Sequence, residues 1–236
     1  MPLHRCASLQ NLVQSQHVHE QVSSAPPQQP SIAQAALRFA NAHTPLGSGN
    51  LGAGHLSAIK PWTPELPDAY RADDIIRESR EKRKNFKFED YISEVMRCQA
   101  GNCGGKSNLV CHFLSQQPNP PIHHRVSLYP NSHSFVVIGQ EPDEEGLFPD
   151  NFNDWNDDAV IIDPWISICG PARHYPELWH MKLDTMAAVG IELRSASHEQ
   201  GKWVKANTPY WKNMLENNKK YLSSKLPLPA SWCWFL

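Results

Sequence analysis

Apolar positions along the chain follow two periods. Phe88, Tyr91, Ile92, Val95 and Met96 recur at spacings of three and four residues, which is one face of an amphipathic helix. Leu109, Val110, Phe113 and Leu114 repeat that spacing after the polar, glycine-rich stretch Gln99-Ala100-Gly101-Asn102-Cys103-Gly104-Gly105. A second helix is therefore predicted, with Asn102 as its N-cap. The period then changes. His133-Ser134-Phe135-Val136-Val137-Ile138-Gly139 and Ala159-Val160-Ile161-Ile162-Asp163-Pro164 are short, continuous, β-branched runs, the pattern of strands buried on both faces. Pro164 has no N–H to donate, so the ladder should stop just after Asp163.

Towards the C-terminus the signals are shorter. Trp165 to Pro171 should turn back, with Trp165 placed to wall whatever lies near Asp163. Trp179, Met181, Leu183, Met186 and Val189 predict further packing that ends at Gly190, and Ile191 and Leu193 alternate like an edge strand. Thr208-Pro209 starts a helix whose apolar face holds Trp211, Met214, Leu215, Tyr221 and Leu222. The last residues, Trp232-Cys233-Trp234-Phe235-Leu236, are strongly apolar and are expected to dock into a groove rather than form a partner-binding patch.

The first 68 residues read differently, being rich in Gln, Ser, Pro, Ala and His, with Glu20 the one acidic residue among the first 60. Apart from a short helix over residues 32–42 they predict a disordered leader (1–68), including a flexible glycine-rich loop over 47–54. Prolines around Trp62 mark the boundary, and the folded domain is expected over 69–236. Residues 73–84 predict a charged helix whose Arg77, Arg80, Lys82, Arg83 and Lys84, with Lys87, form a basic cluster interleaved with Glu78 and Glu81. That reads as a solvated face before it reads as a dock for an acidic partner.

Composition narrows the function classes. At 236 residues the chain suits one domain with an appended segment. A net charge of −2 gives no global pull toward nucleic acid or membrane. No apolar stretch reaches the length of a membrane span, and the N-terminus lacks a continuous apolar signal core. The six cysteines, at 6, 98, 103, 111, 169 and 233, are irregularly spaced, as in a protein that keeps its thiols reduced.

Residues 139–158 carry eight acidic residues and no Lys or Arg. They read first as a solvated connection and second as a rim selecting a basic surface on a protein substrate. Asp154, Asn156 and Asp158 match the start of a calcium loop, but Ala159 stands where Gly is required and Trp165 where Glu is required. Cys98, Cys103, Cys111 and His112 lack regular zinc spacing. The zinc deaminase signature is absent, and Gly101 to Lys106 lacks the first glycine of a phosphate-binding loop. No metal and no cofactor is expected.

Candidate chemistry centres on Cys103. A thiol at a helix start meets unpaired backbone N–H groups and the positive end of the helix dipole, which favour the thiolate. Cys103 stands between Gly-Asn and Gly-Gly, whose small residues leave backbone open to a substrate, whereas Cys111 follows Val110 and reads as core. Cys98 is the fallback nucleophile. A cysteine nucleophile needs a base and a group to orient it. If the two apolar strands pair antiparallel, His133 at the start of one lies beside Asp163 at the end of the other. His123 and His124, in a Pro-rich turn, are expected to be exposed.

Cys in a G-N-C-G context at a helix start, then His opening H-S-F-V-V-I, then Asp ending V-I-I-D-P-W, resembles the papain-like and transglutaminase-like cysteine enzymes. The likeness is greatest to compact versions among secreted bacterial effectors and toxins, and covers roughly residues 88–165. It implies an α+β fold, helices followed by an antiparallel sheet, and a Cys103–His133–Asp163 triad. The family's oxyanion-binding Gln maps nearest to Gln99, with Asn102 or the Cys103 backbone N–H as alternatives; Gly104 and Trp165 complete the candidate substrate-binding set. The implied activity is attack on an amide through a thioester: glutamine deamidation of a host protein first, proteolysis or transglutamination next. It also implies an effector that leaves the producing cell's cytoplasm by a non-classical route and enters a host cell. A non-catalytic adaptor binding a host protein is the reading from another class.

Overall fold

The structure, a computed structural model, describes residues 29–53, 78, 87–130, 133–194 and 202–225. It is an α+β fold of helices and two antiparallel sheets. The elements in chain order are α1 (Gln29–His43), β1 (Leu51–Ala53), α2 (Phe88–Cys98), α3 (Cys103–Ser115), β2 (His123–Tyr129), β3 (His133–Ile138), β4 (Val160–Asp163), β5 (Ile168–Pro171), α4 (Tyr175–Ala188), β6 (Ile191–Arg194), β7 (Trp203–Lys205), α5 (Pro209–Lys212) and β8 (Lys219–Leu222). The larger sheet runs β5-β4-β3-β2-β8, and the smaller runs β1-β6-β7.

Strand β3 sits in the middle of the larger sheet, and all six of its residues are buried. Its alternation separates two packed layers. Val136 and Ile138, with Val160 and Ile162 of β4, face Ile92, Val95, Leu109, Val110 and Leu114 of α2 and α3. Phe135 and Val137, with Ile161, face an aromatic layer that includes Phe152, Trp155, Tyr175, Trp179 and Trp211. A sheet covered on both sides needs apolar residues at every position, so the β-branched runs show no polar alternation. A chain of hydroxyls fastens α3 to this sheet. Ser107 Oγ donates to Ser134 O at 3.0 Å, Ser134 Oγ meets Ser127 Oγ at 3.0 Å, and Ser127 Oγ meets Ser223 Oγ at 2.7 Å.

Several expectations are corrected. Residues 29–53 are part of the fold, so its N-terminal edge lies at least as early as residue 29 rather than near 69. Ala33, Ala36, Leu37 and Ala40 of α1 are buried with the α2–α3 layer, where small side chains let α1 come close to α3 and β4. Leu51 and Ala53 pair with Leu193 and Ile191, so the expected glycine-rich loop includes a strand, and β6 is the centre of its sheet rather than an edge. The expected long C-terminal helix stops at Lys212; Tyr221 and Leu222 lie in β8, paired with Ser127 and Val126. The open edge of β2 supplies hydrogen bonds that the Asn-rich segment after Lys212 could not supply as helix. Met181 and Val189 are exposed rather than packed. His123 and His124 are half-buried in β2, and His124 Nε2 meets Glu141 Oε2 at 2.8 Å. Residues 1–28, nearly all of 73–84, and the aromatic tail at 232–236 lie outside the described residues.

Ala36 tests the place of α1. Its side chain has no exposure, so Ala36→Asp would bury a carboxylate among apolar groups and should cost about 3 kcal/mol or more. Thermal unfolding followed by circular dichroism should show a large fall in midpoint; an unchanged midpoint would mean that α1 is not held in the core.

Candidate active site

Cys103 is the first residue of α3 and is 6% exposed. The helix starts there because Asn102 is extended, at φ −72° and ψ −173°, and its Oδ1 accepts the Gly105 N–H at 3.0 Å. The glycines serve packing. A Cβ on Gly105 would stand 3.4 Å from the Tyr91 hydroxyl and 3.5 Å from Val95 Cγ2, and one on Gly101 would stand 3.4 Å from Val95 Cγ1. Gly104, expected to leave backbone open to substrate, is buried in the same first turn.

His133 opens β3 and Asp163 closes β4, and the two strands pair antiparallel with Val136 opposite Ile162. His133 and Asp163 lie on the aromatic side of the sheet, both essentially without exposure. His133 Nε2 donates to Asp163 Oδ2 at 2.9 Å. The imidazole also hydrogen-bonds Cys103. Cys103, His133 and Asp163 thus form one hydrogen-bonded chain.

Asp163 is held by more than the histidine. Its Oδ1 accepts the Trp165 backbone N–H at 3.0 Å, and its Oδ2 accepts the Tyr175 hydroxyl at 2.7 Å. Tyr175 stays protonated, since burial, then the Asp163 charge, push it well above its ordinary value. The imidazole is walled by Trp165 and Trp179, with ring centroids 5.1 and 5.0 Å away. Burial by itself would lower the His133 value. The Asp163 charge and hydrogen bond, together with Cys103, outweigh it and raise His133 from 6.5 to about 10. His133 is therefore an imidazolium at neutral pH.

Lys106 lies one turn after Cys103 and is 1% exposed. Its Nζ donates to the carbonyl of Pro164, the residue after Asp163, at 3.3 Å. It ties the helix that begins at Cys103 to the end of the strand that carries Asp163. Burial pushes the thiols of Cys111 and Cys169 up to about 12, which leaves them inert near neutral pH. Cys98 is half-buried, with the Arg97 guanidinium 3.7 Å from its sulfur.

The structure brings together Cys103, His133, Asp163 and Trp165, and sets Asn102 beside them as the cap. Gln99 is the exposed left-handed C-cap of α2, at φ 55°, and its carbonyl accepts the Leu46 N–H at 3.0 Å. Tyr175, Trp179 and Lys106 were not anticipated. Lys106 carried a legible signal, as a charged residue inside the buried stretch of α3; Tyr175 carried none, because its partner is contributed by another element. The acidic segment is built on buried Phe148, Phe152 and Trp155. It borders a cavity of about 540 Å³ lined by Glu141, Asp143, Asp150 and Lys219, among others, and by none of the triad. Among the described residues no three His, Cys, Asp or Glu side chains gather as a metal site, and no helix is long and apolar enough to cross a membrane.

Compared with models of known protein families and with curated proteins, the chain matches none.

The His133 shift gives a pH prediction. A histidine raised from 6.5 to about 10 holds its proton across the neutral range and releases it near pH 10. Its contribution to stability is therefore complete below pH 6.5 and is lost as pH rises through about 10. Imidazole NMR titration should show that midpoint, and in Asp163→Asn it should fall toward the ordinary 6.5 because burial then opposes the proton with less to offset it. A midpoint unmoved by Asp163→Asn would remove Asp163 as the partner.

Proposed function

We propose that this chain is a cysteine-dependent amide hydrolase or acyl transferase of papain-like or transglutaminase-like design, acting on a protein substrate. The observation that carries the reading is the continuous chain from Cys103 through His133 to Asp163 Oδ2, with the nucleophile at a helix start. The order of helices and then sheet strands supports the same reading.

In this mechanism Cys103 attacks as the thiolate, with its proton on His133. The sulfur attacks the amide carbonyl, and the new C–S bond moves the carbonyl electron pair onto oxygen. The Cys103 backbone N–H and Asn102 are the proposed donors for that oxyanion. Collapse breaks the C–N bond, the leaving amine takes a proton from His133, and a thioester remains. His133, now neutral, draws a proton from the acceptor that attacks the thioester. Water as acceptor gives hydrolysis, and an amine gives transamidation.

Glutamine deamidation of a host protein comes first because Cys103 is 6% exposed. A slender side-chain carboxamide enters a narrow opening more readily than an extended main chain, which must lie across the nucleophile on both sides of the bond. Delivery into a host cell by a non-classical route is the setting proposed for it, supported by the acid-poor, Ser- and Gln-rich N-terminus.

Limiting iodoacetamide at neutral pH, followed by mass spectrometry, should label Cys103 first among the six cysteines. His133→Ala should slow that labelling by about 10²-fold or more. In host-cell lysate, conversion of specific glutamines to glutamate should depend on Cys103. New N-termini would indicate a protease and amine incorporation a transglutaminase. A Cys103→Ala protein that acts like wild type would leave the adaptor reading in its place.

A further inference from the structure

We propose that residues 44–50 are a strap that sets the geometry of the catalytic centre, and that Asn50 is its positioning residue, acting on His133 through Trp165. The inference rests on the proposed function for its consequence in activity, and on the hydrogen bonds below for its existence.

The strap runs along the approach to the nucleophile. Leu46 N–H donates to Gln99 O at 3.0 Å, and Gly101 N–H donates to Gly47 O at 3.1 Å. Ser48 Oγ, buried, donates to Gly101 O at 2.7 Å. Gly101, two residues before Cys103, is thus fixed at both its N–H and its C=O. Gly47 stands at φ +86°, a backbone that L side chains rarely adopt, and makes the turn that lets both bonds form.

Asn50 reaches the other side of the centre. Its Oδ1 accepts the indole N–H of Trp165 at 2.9 Å. Trp165 is one of the two walls of the imidazole, and its backbone N–H is already given to Asp163. The backbone bond fixes where Trp165 starts but leaves its two side-chain torsions open. The bond to Asn50 is the polar contact that fixes the ring's rotation against His133. Without it a buried indole N–H loses its partner, and the ring, though packed against Trp179 and Trp211, shifts to find another, which moves the wall of the imidazole.

The side chain can be altered without cutting the strap. The Asn50 carbonyl accepts the Arg194 N–H at 3.0 Å, and Leu51 continues into the β1–β6 ladder. These are backbone bonds. Asn50→Leu keeps the volume and removes the acceptor; Asn50→Asp keeps an acceptor oxygen.

The test measures two things on wild type, Asn50→Leu and Asn50→Asp: the Trp165 indole ¹H–¹⁵N resonance, assigned with Trp165→Phe, and the iodoacetamide labelling rate of Cys103. The expected result is an upfield indole shift and about tenfold slower labelling in Asn50→Leu. Asn50→Asp should hold the indole resonance downfield and the labelling rate within about threefold of wild type, well inside the tenfold that ~1.4 kcal/mol represents. Wild-type labelling with an unshifted indole in Asn50→Leu would overturn the proposal, and so would an equal fall in both variants, which would reduce Asn50 to a structural role. If Asn50→Leu does not fold, the Asn50→Asp result and Asn50→Ala decide by the same criteria. Wild-type Cys103 labelling no faster than Cys98 would count against the proposed function, while the indole response would still decide on the strap.

Discussion

A carboxylate with no exposure to water has to be answered by hydrogen bonds, and at Asp163 that requirement organises the molecule. Three donors converge on it from three elements: His133 from β3, the Trp165 backbone from the turn after β4, and Tyr175 from the start of α4. Losing any one would leave a buried acceptor short of a partner, a penalty of roughly 1–3 kcal/mol or more for a charged group. The elements that supply those donors are thereby fixed relative to one another. An imidazole fixed in this way can present its remaining nitrogen to only one place, and that is where α3 begins.

The same requirement explains why the centre lies where the two layers meet. His133 and Asp163 lie on the aromatic side of the sheet, while the helix that carries Cys103 packs by its apolar residues on the other side. Cys103 itself belongs to the aromatic cluster, so the first turn of α3 reaches past the layer that the rest of α3 covers. Holding that turn needs polar fasteners, because apolar contact alone does not fix a rotation. Ser107 to the β3 backbone and Lys106 to the Pro164 carbonyl supply them, one turn from the sulfur.

Local signals were legible in the sequence, and non-local ones were not. The N-cap at Asn102, the helix beginning at Cys103 and the β3–β4 pairing follow from residues adjacent in sequence or from one antiparallel match. Tyr175 and Asn50 act on residues 12 and 115 positions away, and nothing in their own neighbourhoods marks them. Helix α1 was underread for a different reason. Its buried face is mostly alanine, which contributes little apolar area but permits close approach, so a mean over its Gln- and Ser-rich surroundings hides it. Strand β8 was misread because Tyr221 and Leu222 fit a helical spacing with Trp211 and Met214, whereas the free edge of β2 determined their conformation. The family resemblance rested on the local signals alone.

Burial and reactivity pull against each other at this centre, and the arrangement resolves the conflict through charge. Enclosure drives the thiols of the half-buried Cys111 and Cys169 up to about 12. Cys103 lies beside a histidine raised to about 10, so an imidazolium is favoured next to its sulfur throughout the neutral range. That cation is favoured by the Asp163 charge and hydrogen bond, and Asp163 is held in turn by the Tyr175 hydroxyl and the Trp165 backbone, so the three elements that meet at this carboxylate act as one unit.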